Sequence, residues 1–143
     1  MSPTMVFQAM ASSDENMETQ ALGDLLMVIG ASGGPKIISA VFQVIVNYFM
    51  LGMPLFDSVA HPRVHNQLIY QGAATTCLEN CVIQPSEIHL KVSNRSRSAL
   101  TKRDQLLVDM DYAGTVQAIS VDPETGLMAA VCDIRKGGSP VGY

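Results

Sequence analysis

The feature that most constrains the fold of this chain is the stretch LLMVIGASGGPK at residues 25–36. Its first five residues form a continuous apolar run, which is typical of a buried β-strand. Gly33 and Gly34 then interrupt the pattern, and Pro35 has the fixed φ that suits the first turn of a helix. The stretch therefore predicts a strand, a tight glycine turn and a helix, with the N–H groups of the turn at the positive end of that helix.

Two known glycine-rich motifs, each of which needs a particular reactive side chain, compete for this turn. The phosphate loop G-x-x-x-x-G-K-[ST] fits poorly, because Pro35 removes an amide donor and Ile37 stands where a metal-binding hydroxyl is needed. The nucleophile elbow G-x-S-x-G fits residues 30–34 and would make the chain a serine hydrolase that uses Ser32. Three downstream histidines are candidate bases for it: His61, His65 and His89. Against this interpretation, the chain is short for an α/β-hydrolase.

Two other interpretations of the turn need no serine. In one, the N–H groups of Gly33 and Gly34 form an oxyanion hole for a tetrahedral intermediate, and the attacking group comes from elsewhere. In the other, the glycines only allow a sharp turn and close packing of the helix on the sheet. Physical reasoning from these residues alone favours the packing role.

Composition excludes some classes of protein. The 143 residues predict one domain, and a net charge of -4 argues against a basic surface for nucleic acid. Cys77 and Cys81 have a CxxxC spacing without a second pair or a nearby histidine, so neither a zinc site nor any other metal or cofactor is predicted.

The helix after the turn is predicted over residues 36–51. Residues 37–56 are apolar over almost a membrane-spanning length, but polar residues recur every three or four positions, which is typical of an amphipathic core helix and predicts no membrane span. The residues expected on its buried side are apolar: Ile38, Val41, Phe42, Ile45 and Phe49.

The remaining pattern predicts strands paired by hairpins, with two helices inserted after the second strand, and hence an α+β fold. Residues 10–24 are predicted to be an exposed loop inside a long first hairpin. The further predicted elements are a helix at 54–60, strands at 75–79 and 87–92, a strand start at 68–70, an exposed helix or loop at 94–105, and a hairpin of strands 116–121 and 127–132.

Four blocks of sequence, in this order, carry a resemblance to a known family. They are MSPT at 1–4, MVIGASGGPKII at 27–38, HPRVHNQL within 60–68 and DIRKGGSPVGY at 133–143. Together they resemble the C-terminal part of the small subunit of gamma-glutamyltranspeptidase (glutathione hydrolase), over nearly the whole chain. The resemblance implies a single partial domain over residues 1–143 and an incomplete part of the αββα sandwich of N-terminal-nucleophile (Ntn) hydrolases.

The resemblance also implies a reaction and a few site residues. The family's enzymes take the γ-glutamyl group of glutathione or another γ-glutamyl compound and pass it to water, an amino acid or a peptide. Gly33 and Gly34 match the glycine pair of the family's oxyanion hole. Ser2 lies at the end of its serine-rich motif SSM-[SC]-PT and is a candidate substrate contact, although the two serines that hold the substrate carboxylate precede Met1.

Other matches and departures bear less directly on catalysis. The PR-x-HNQ block is matched by Arg63, His65, Asn66 and Gln67, and the terminal block by Asp133, Arg135, Lys136, Gly137, Gly138 and Tyr143; both are expected to have structural roles. Pro35 stands where relatives often carry threonine or another small residue, and His61 where they usually carry glutamate.

The resemblance does not supply the catalytic threonine, because Thr4 belongs to the MSPT block and not to the nucleophile block. We therefore expect this chain alone to be inactive, with the rest of the small subunit and the large subunit as its partners. The alternative is a non-catalytic assembly or regulatory fragment that pairs with a larger subunit. Members of the family are extracellular, membrane-anchored, periplasmic or vacuolar, and this sequence does not choose among these locations.

Overall fold

The computed structural model describes residues 3–9, 22–66, 68–69 and 74–142. In chain order, its helices and strands are β1 (Thr4–Phe7), β2 (Leu25–Ser32), α1 (Lys36–Ile45), α2 (Leu55–Ala60), β3 (Val64–Asn66), β4 (Thr75–Ile83), β5 (Ile88–Lys91), α3 (Asn94–Thr101), β6 (Leu106–Met110), β7 (Thr115–Val121) and β8 (Met128–Cys132).

The first sheet has the strand order β1-β2-β7-β8, and every neighbouring pair is antiparallel. The predicted hairpins β1–β2 and β7–β8 are confirmed. Most of the predicted loop at 10–24 lies outside the described residues, which resume at Leu22. In the β7–β8 turn, Gly126 has a φ of +70°, as a left-handed turn position requires.

The core lies between one face of this sheet and the two helices α1 and α2. Side chains alternate along a strand, so every second residue of β2 and β7 faces the helices. The buried members of the core are Met27, Ile29 and Ala31 of β2, Val116 and Ala118 of β7, Ala40, Val41 and Val44 of α1, and Leu55 and Val59 of α2.

The helix after the glycine turn has the predicted extent. It continues beyond Ile45 through a π-helical turn at Val46–Met50, and Gly52 follows with a φ of +65°. None of the helices in the described part of the chain has both the length and the apolar character needed to cross a membrane.

The predicted buried side of α1 is partly wrong. Ile38, Phe42 and Phe49 are 80%, 64% and 39% exposed, whereas Val41 is buried and Ile45 packs partly buried against the core. The physical reason is that the polar side of the helix packs against protein: Gln43 Nε2 donates to the carbonyl of Val64 at 2.8 Å, and the Val64 N–H donates to Gln43 Oε1 at 2.9 Å. The amide of Gln43 thus pairs with β3 as a strand would.

The second sheet is built around β4, which pairs antiparallel with β3 and β5 and parallel with β6. Strand β6 was not predicted from the sequence. The strand start predicted at 68–70 is wrong, because the strand lies earlier, at Val64–Asn66; Leu68 and Ile69 are exposed, and residue 70 lies outside the described residues. Within the described residues, helix α1 joins the two sheets by contacting β2, β7 and β3.

Two isoleucines test this division into core and surface. Ile29→Ala should lower the free energy of unfolding by about 2–5 kcal/mol, because Ile29 is 1% exposed and its truncation leaves a cavity. Ile38→Ala should change it by less than about 0.5 kcal/mol, because the side chain is mostly in solvent. Urea unfolding of the two variants measures both values, and equal losses would contradict the assignment of the buried face of α1.

Candidate active site

The glycine turn joins the end of β2 to the start of α1. Gly33 has a φ of +138° and Gly34 a φ of +61°, both in the region that favours glycine. The carbonyl of Gly33 accepts from the N–H of Lys36 at 3.3 Å, and that of Gly34 accepts from the N–H of Ile37 at 3.1 Å. The carbonyls of the turn are therefore used to begin the helix.

The N–H groups of the same two glycines, unlike their carbonyls, take no part in the hydrogen bonds that begin the helix. Within the described part of the chain, neither donates a hydrogen bond to a backbone or side-chain acceptor. Pro35 at the start of α1 makes no side-chain cap, so the positive end of the helix dipole also lacks a side-chain acceptor there. Two unused donors at a helix N-terminus suit an oxyanion that forms during acyl transfer.

The turn packs closely on the segment that leads into β7. A Cβ atom on Gly33 would lie 2.8 Å from the Cα of Gly114, which is closer than such contacts allow. Lys36 Nζ donates to the carbonyl of Tyr112 at 2.8 Å and lies 5.9 Å from the centre of its ring. Gly33 therefore serves close packing as well as the turn, in agreement with one of the two interpretations drawn from the sequence.

The structure does not bring a base to Ser32. His65 Nδ1 lies 2.8 Å from Ser39 Oγ, and His89 Nε2 lies 3.1 Å from Asn80 Oδ1. His61 is exposed at the end of α2. Among the described residues, no histidine hydrogen-bonds Ser32, so the pairing of nucleophile and base that a serine hydrolase needs is missing there.

The other candidate site residue, Ser2, lies outside the described residues. Thr4, two residues after Ser2 in the sequence, is paired with Ile29 in the antiparallel β1–β2 ladder. Because the two strands are antiparallel, β1 read backwards from Phe7 to Thr4 runs in the same direction as β2 read forwards to the glycine turn.

Four charged side chains from distant parts of the sequence are buried together, each with a side chain no more than 2% exposed: Arg63, Glu79, Asp133 and Arg135. Arg63 Nη2 donates to Asp133 Oδ2 at 2.8 Å, and Arg135 Nη1 donates to Asp133 Oδ1 at 2.9 Å. Arg135 also donates to both oxygens of Glu79, from Nε at 2.6 Å and from Nη2 at 2.5 Å. We call these four residues the charge cluster; two cations and two anions cancel within it.

The charge cluster also ends helix α2. Arg135 Nη1 donates to the carbonyl of Val59 at 3.1 Å, and its Nη2 donates to that of His61 at 2.9 Å. These carbonyls are among those that a helix C-terminus leaves without partners, and a cation is favoured beside them. The terminal block of the sequence thus holds α2 in place from a distance of more than seventy residues along the chain.

The charge cluster shifts the pKa values of three of its members. Burial alone would raise the pKa of Asp133, but the charges of Arg63 and Arg135 lower it below its usual value. Burial alone would lower the pKa of Arg135, and its hydrogen bonds to Glu79 raise it instead. Burial and the charge of Arg135 together lower the pKa of Arg63. Asp133 is therefore held as an anion.

Only some residues of the charge cluster and the glycine turn could be recognised as important from the sequence. Arg63, Asp133 and Arg135 lie in blocks that the resemblance had marked as structural. The structural role of Glu79 was not predicted. The available signal was a single carboxylate in the strand TTCLENCVI, whose other residues are uncharged. Gly114 was missed because its role, close contact with Gly33, depends on a neighbour that is distant in sequence.

Comparison with known proteins identifies the family. The sequence model described as Gamma-glutamyltranspeptidase matches residues 1–143. The chain belongs to the gamma-glutamyltranspeptidase family. Glutathione hydrolase 2 of Arabidopsis thaliana is 35% identical to it over 127 residues, which are 85% of this chain and 21% of the relative. Glutathione hydrolase 5 proenzyme of Homo sapiens is 32% identical over 117 residues, which are 82% of this chain and 17% of the relative.

Solved structures of the family show the same fold. The gamma-glutamyltranspeptidase of Pseudomonas nitroreducens, complexed with L-DON, superimposes with a TM-score of 0.67 at 23% identity, over 100% of this chain and 64% of that one. The α+β fold described above is thus part of the αββα sandwich of Ntn hydrolases. The chain spans about a fifth of the length of the curated relatives it matches.

The two glycines of the turn are expected to differ in their tolerance of a side chain. Gly33→Ala should lower the free energy of unfolding by about 2 kcal/mol or more, since its Cβ meets the backbone of Gly114 at a strained φ. Gly34→Ala should lower it by about 1 kcal/mol, the cost of the left-handed conformation alone, because no atom lies within 4 Å of its Cβ. Urea unfolding distinguishes the two, and an equal or reversed order would contradict the close contact.

The charge cluster predicts a pH dependence of stability. The pKa of Asp133 is lower in the folded than in the unfolded chain, so its contribution is present above the unfolded value, about 3.9, and is lost as the pH falls through the folded value. Asp133→Asn should lower the free energy of unfolding by about 3 kcal/mol near neutral pH and should flatten its decline below about pH 4. Urea unfolding across the acid range measures this slope. The exposed-site variant Asp104→Asn is the control, and an Asp133→Asn slope as steep as that of the control would contradict the assignment.

Proposed function

We propose that this chain supplies the oxyanion hole for γ-glutamyl transfer from glutathione and related γ-glutamyl compounds to water, amino acids or peptides. The observation that carries the proposal is the pair of N–H groups on Gly33 and Gly34, which donate no hydrogen bond within the described residues and precede α1. Membership of the gamma-glutamyltranspeptidase family supports acyl transfer as the class of chemistry.

In the proposed reaction, a threonine hydroxyl attacks the γ-carbonyl carbon of the substrate. The C=O bond becomes a C–O⁻ single bond, and the oxygen receives hydrogen bonds from the two glycine N–H groups. Because the donors are fixed before the reaction, they stabilise the oxyanion more than the neutral carbonyl, which lowers the barrier. When the C–N bond breaks, the proton given up by the threonine hydroxyl ends on the amine of the leaving peptide. Water or an amino acid amine then attacks the acyl-enzyme through a second oxyanion in the same place, and its proton returns to the threonine oxygen as the C–O bond to the enzyme breaks.

The remaining groups of the site come from elsewhere in the enzyme under this proposal. The threonine belongs to the rest of the small subunit, and the large subunit completes the binding site for the γ-glutamyl group. Ser2 is proposed as a substrate contact. In support, β1, which follows Ser2 in the sequence, begins towards the glycine-turn end of β2. The 143-residue chain by itself should therefore not hydrolyse a γ-glutamyl anilide.

A second candidate function is that of a non-catalytic assembly chain that pairs with a larger subunit. The observation in its favour is the apolar surface that α1 and the following turn leave in solvent, of which Ile38, Phe42, Met50 and Leu51 are each more than 60% exposed. A surface of this kind is typical of a face that another polypeptide covers.

A chimera tests the catalytic proposal. Residues of this chain replace the matching segment of the Arabidopsis relative, which supplies the rest of the enzyme, and turnover of a γ-glutamyl anilide is measured. The chimera should be active, and Gly34→Val should lower its kcat by about 10²–10³-fold, because the branched side chain changes the backbone angles that aim the N–H groups.

Gly126→Val is the matched control for Gly34→Val. Gly126 has a similar φ of +70°, and its added Cβ would also meet no atom within 4 Å, but it lies in the β7–β8 turn. Its effect on kcat should be less than about twofold. If Gly34→Val were as active as Gly126→Val, the oxyanion role would be wrong. A folded but inactive chimera would favour the assembly function instead.

A further inference from the structure

The backbone segment 112–116 lies between the glycine turn and the charge cluster. On one side, the Cα of Gly114 packs against Gly33 so closely that a Cβ on Gly33 would approach it to 2.8 Å. On the same side, Lys36 Nζ holds the carbonyl of Tyr112 at 2.8 Å. The position of Gly33 therefore depends on where this segment is held.

The other side of the segment is held by three charged side chains. Glu79 Oε1 accepts from the N–H of Ala113 at 3.3 Å, and Arg63 Nη1 donates to the carbonyl of Gly114 at 2.7 Å. Val116, two residues after Gly114, donates its N–H to Asp133 Oδ2 at 2.8 Å. Each bond joins a buried charge to a buried backbone group, and bonds of this type are among the strongest in proteins.

The side chains that hold the segment are themselves fixed from several directions. Besides Gly114, the guanidinium of Arg63 contacts Asp133 at 2.8 Å and the carbonyl of Val59 at 2.6 Å. Glu79 accepts from the backbone N–H of Arg63 at 3.0 Å in addition to its bonds from Arg135. The cluster is shielded from water, so it has few other arrangements in which its charges stay paired.

We propose that Arg63 and Glu79 are positioning residues for the oxyanion hole, and that they act on Gly33 through the peptide groups of Ala113 and Gly114. The inference rests on the proposed function, because it assigns the N–H groups of the glycine turn to catalysis. An oxyanion hole needs its donors within about 0.5 Å of the productive geometry. A turn with two glycines is too adaptable to maintain that geometry without a fixed neighbour.

The first experiment tests positioning in the 143-residue chain without any catalysis. Arg63→Lys keeps the positive charge but lacks the forked guanidinium that reaches Gly114 and Asp133 together. In ¹⁵N–¹H NMR spectra, the amide resonances of Gly33 and Gly34 should move at least threefold more in this variant than in Met27→Ala. Met27 is fully buried at the other end of β2, opposite Ser120, so Met27→Ala reports a loss of stability without a change at the cluster.

If the two glycine resonances move no more in Arg63→Lys than in Met27→Ala, the positioning role is overturned and Arg63 is only a stabilising residue. If Arg63→Lys does not fold, Gly114→Ala decides instead, because it changes none of the four charged side chains and puts a methyl group 3.2 Å from the carbonyl of Ser32. The Gly33 and Gly34 resonances should move in that variant as well, and unchanged resonances would overturn the proposal.

The second experiment uses the active chimera. Arg63→Lys should lower kcat about tenfold or more with a KM within twofold of the parent, since misaimed donors act on the transition state and not on substrate binding. Proportional losses in kcat and in the amount of folded enzyme would overturn the catalytic part. A parent chimera without activity would refute the proposed function alone, and the NMR comparison would still decide whether Arg63 positions the turn.

Discussion

The pairing of two arginines with two carboxylates inside the protein is the interaction on which most of this structure depends. An isolated buried charge is very costly, so each member of the charge cluster requires the others. Arg63 follows α2, Glu79 lies in β4, and Asp133 and Arg135 follow β8, so pairing them fixes a helix, the second sheet and the C-terminal segment relative to one another. Hydrophobic burial supplies the main driving force for folding but lacks direction, whereas these hydrogen-bonded charges fix one arrangement.

The part of the fold that the sequence predicts best is the part that local chemistry determines. An apolar run, two glycines and a proline lie within twelve residues, and each has a preference that agrees with strand, turn and helix. The β7–β8 hairpin was predictable for the same reason, because Pro123 and Gly126 suit a turn between two apolar strands. In both cases the residues that decide the structure are neighbours in the sequence.

What escaped prediction depends on distant partners. β6 pairs parallel with β4 across a connection that contains a strand and a helix, and LLVDM alone does not indicate that partner. The exposed face of α1 was misjudged because hydrophobicity alone places Ile38 and Phe42 inside, whereas the backbone of β3 requires the amide of Gln43. Likewise, the candidate oxyanion donors could be named from the sequence, but their fixed support at Gly114 could not.

The pairing of Gln43 with Val64 has a consequence for the architecture as a whole. A side chain of a helix satisfies both the N–H and the C=O of one strand residue, so the edge of β3 is covered at that point without another strand. The same helix packs its apolar residues on the first sheet. The side-chain amide of Gln43 therefore fixes the position of the second sheet relative to the first. If α1 slid along the first sheet, the two hydrogen bonds between Gln43 and Val64 would break.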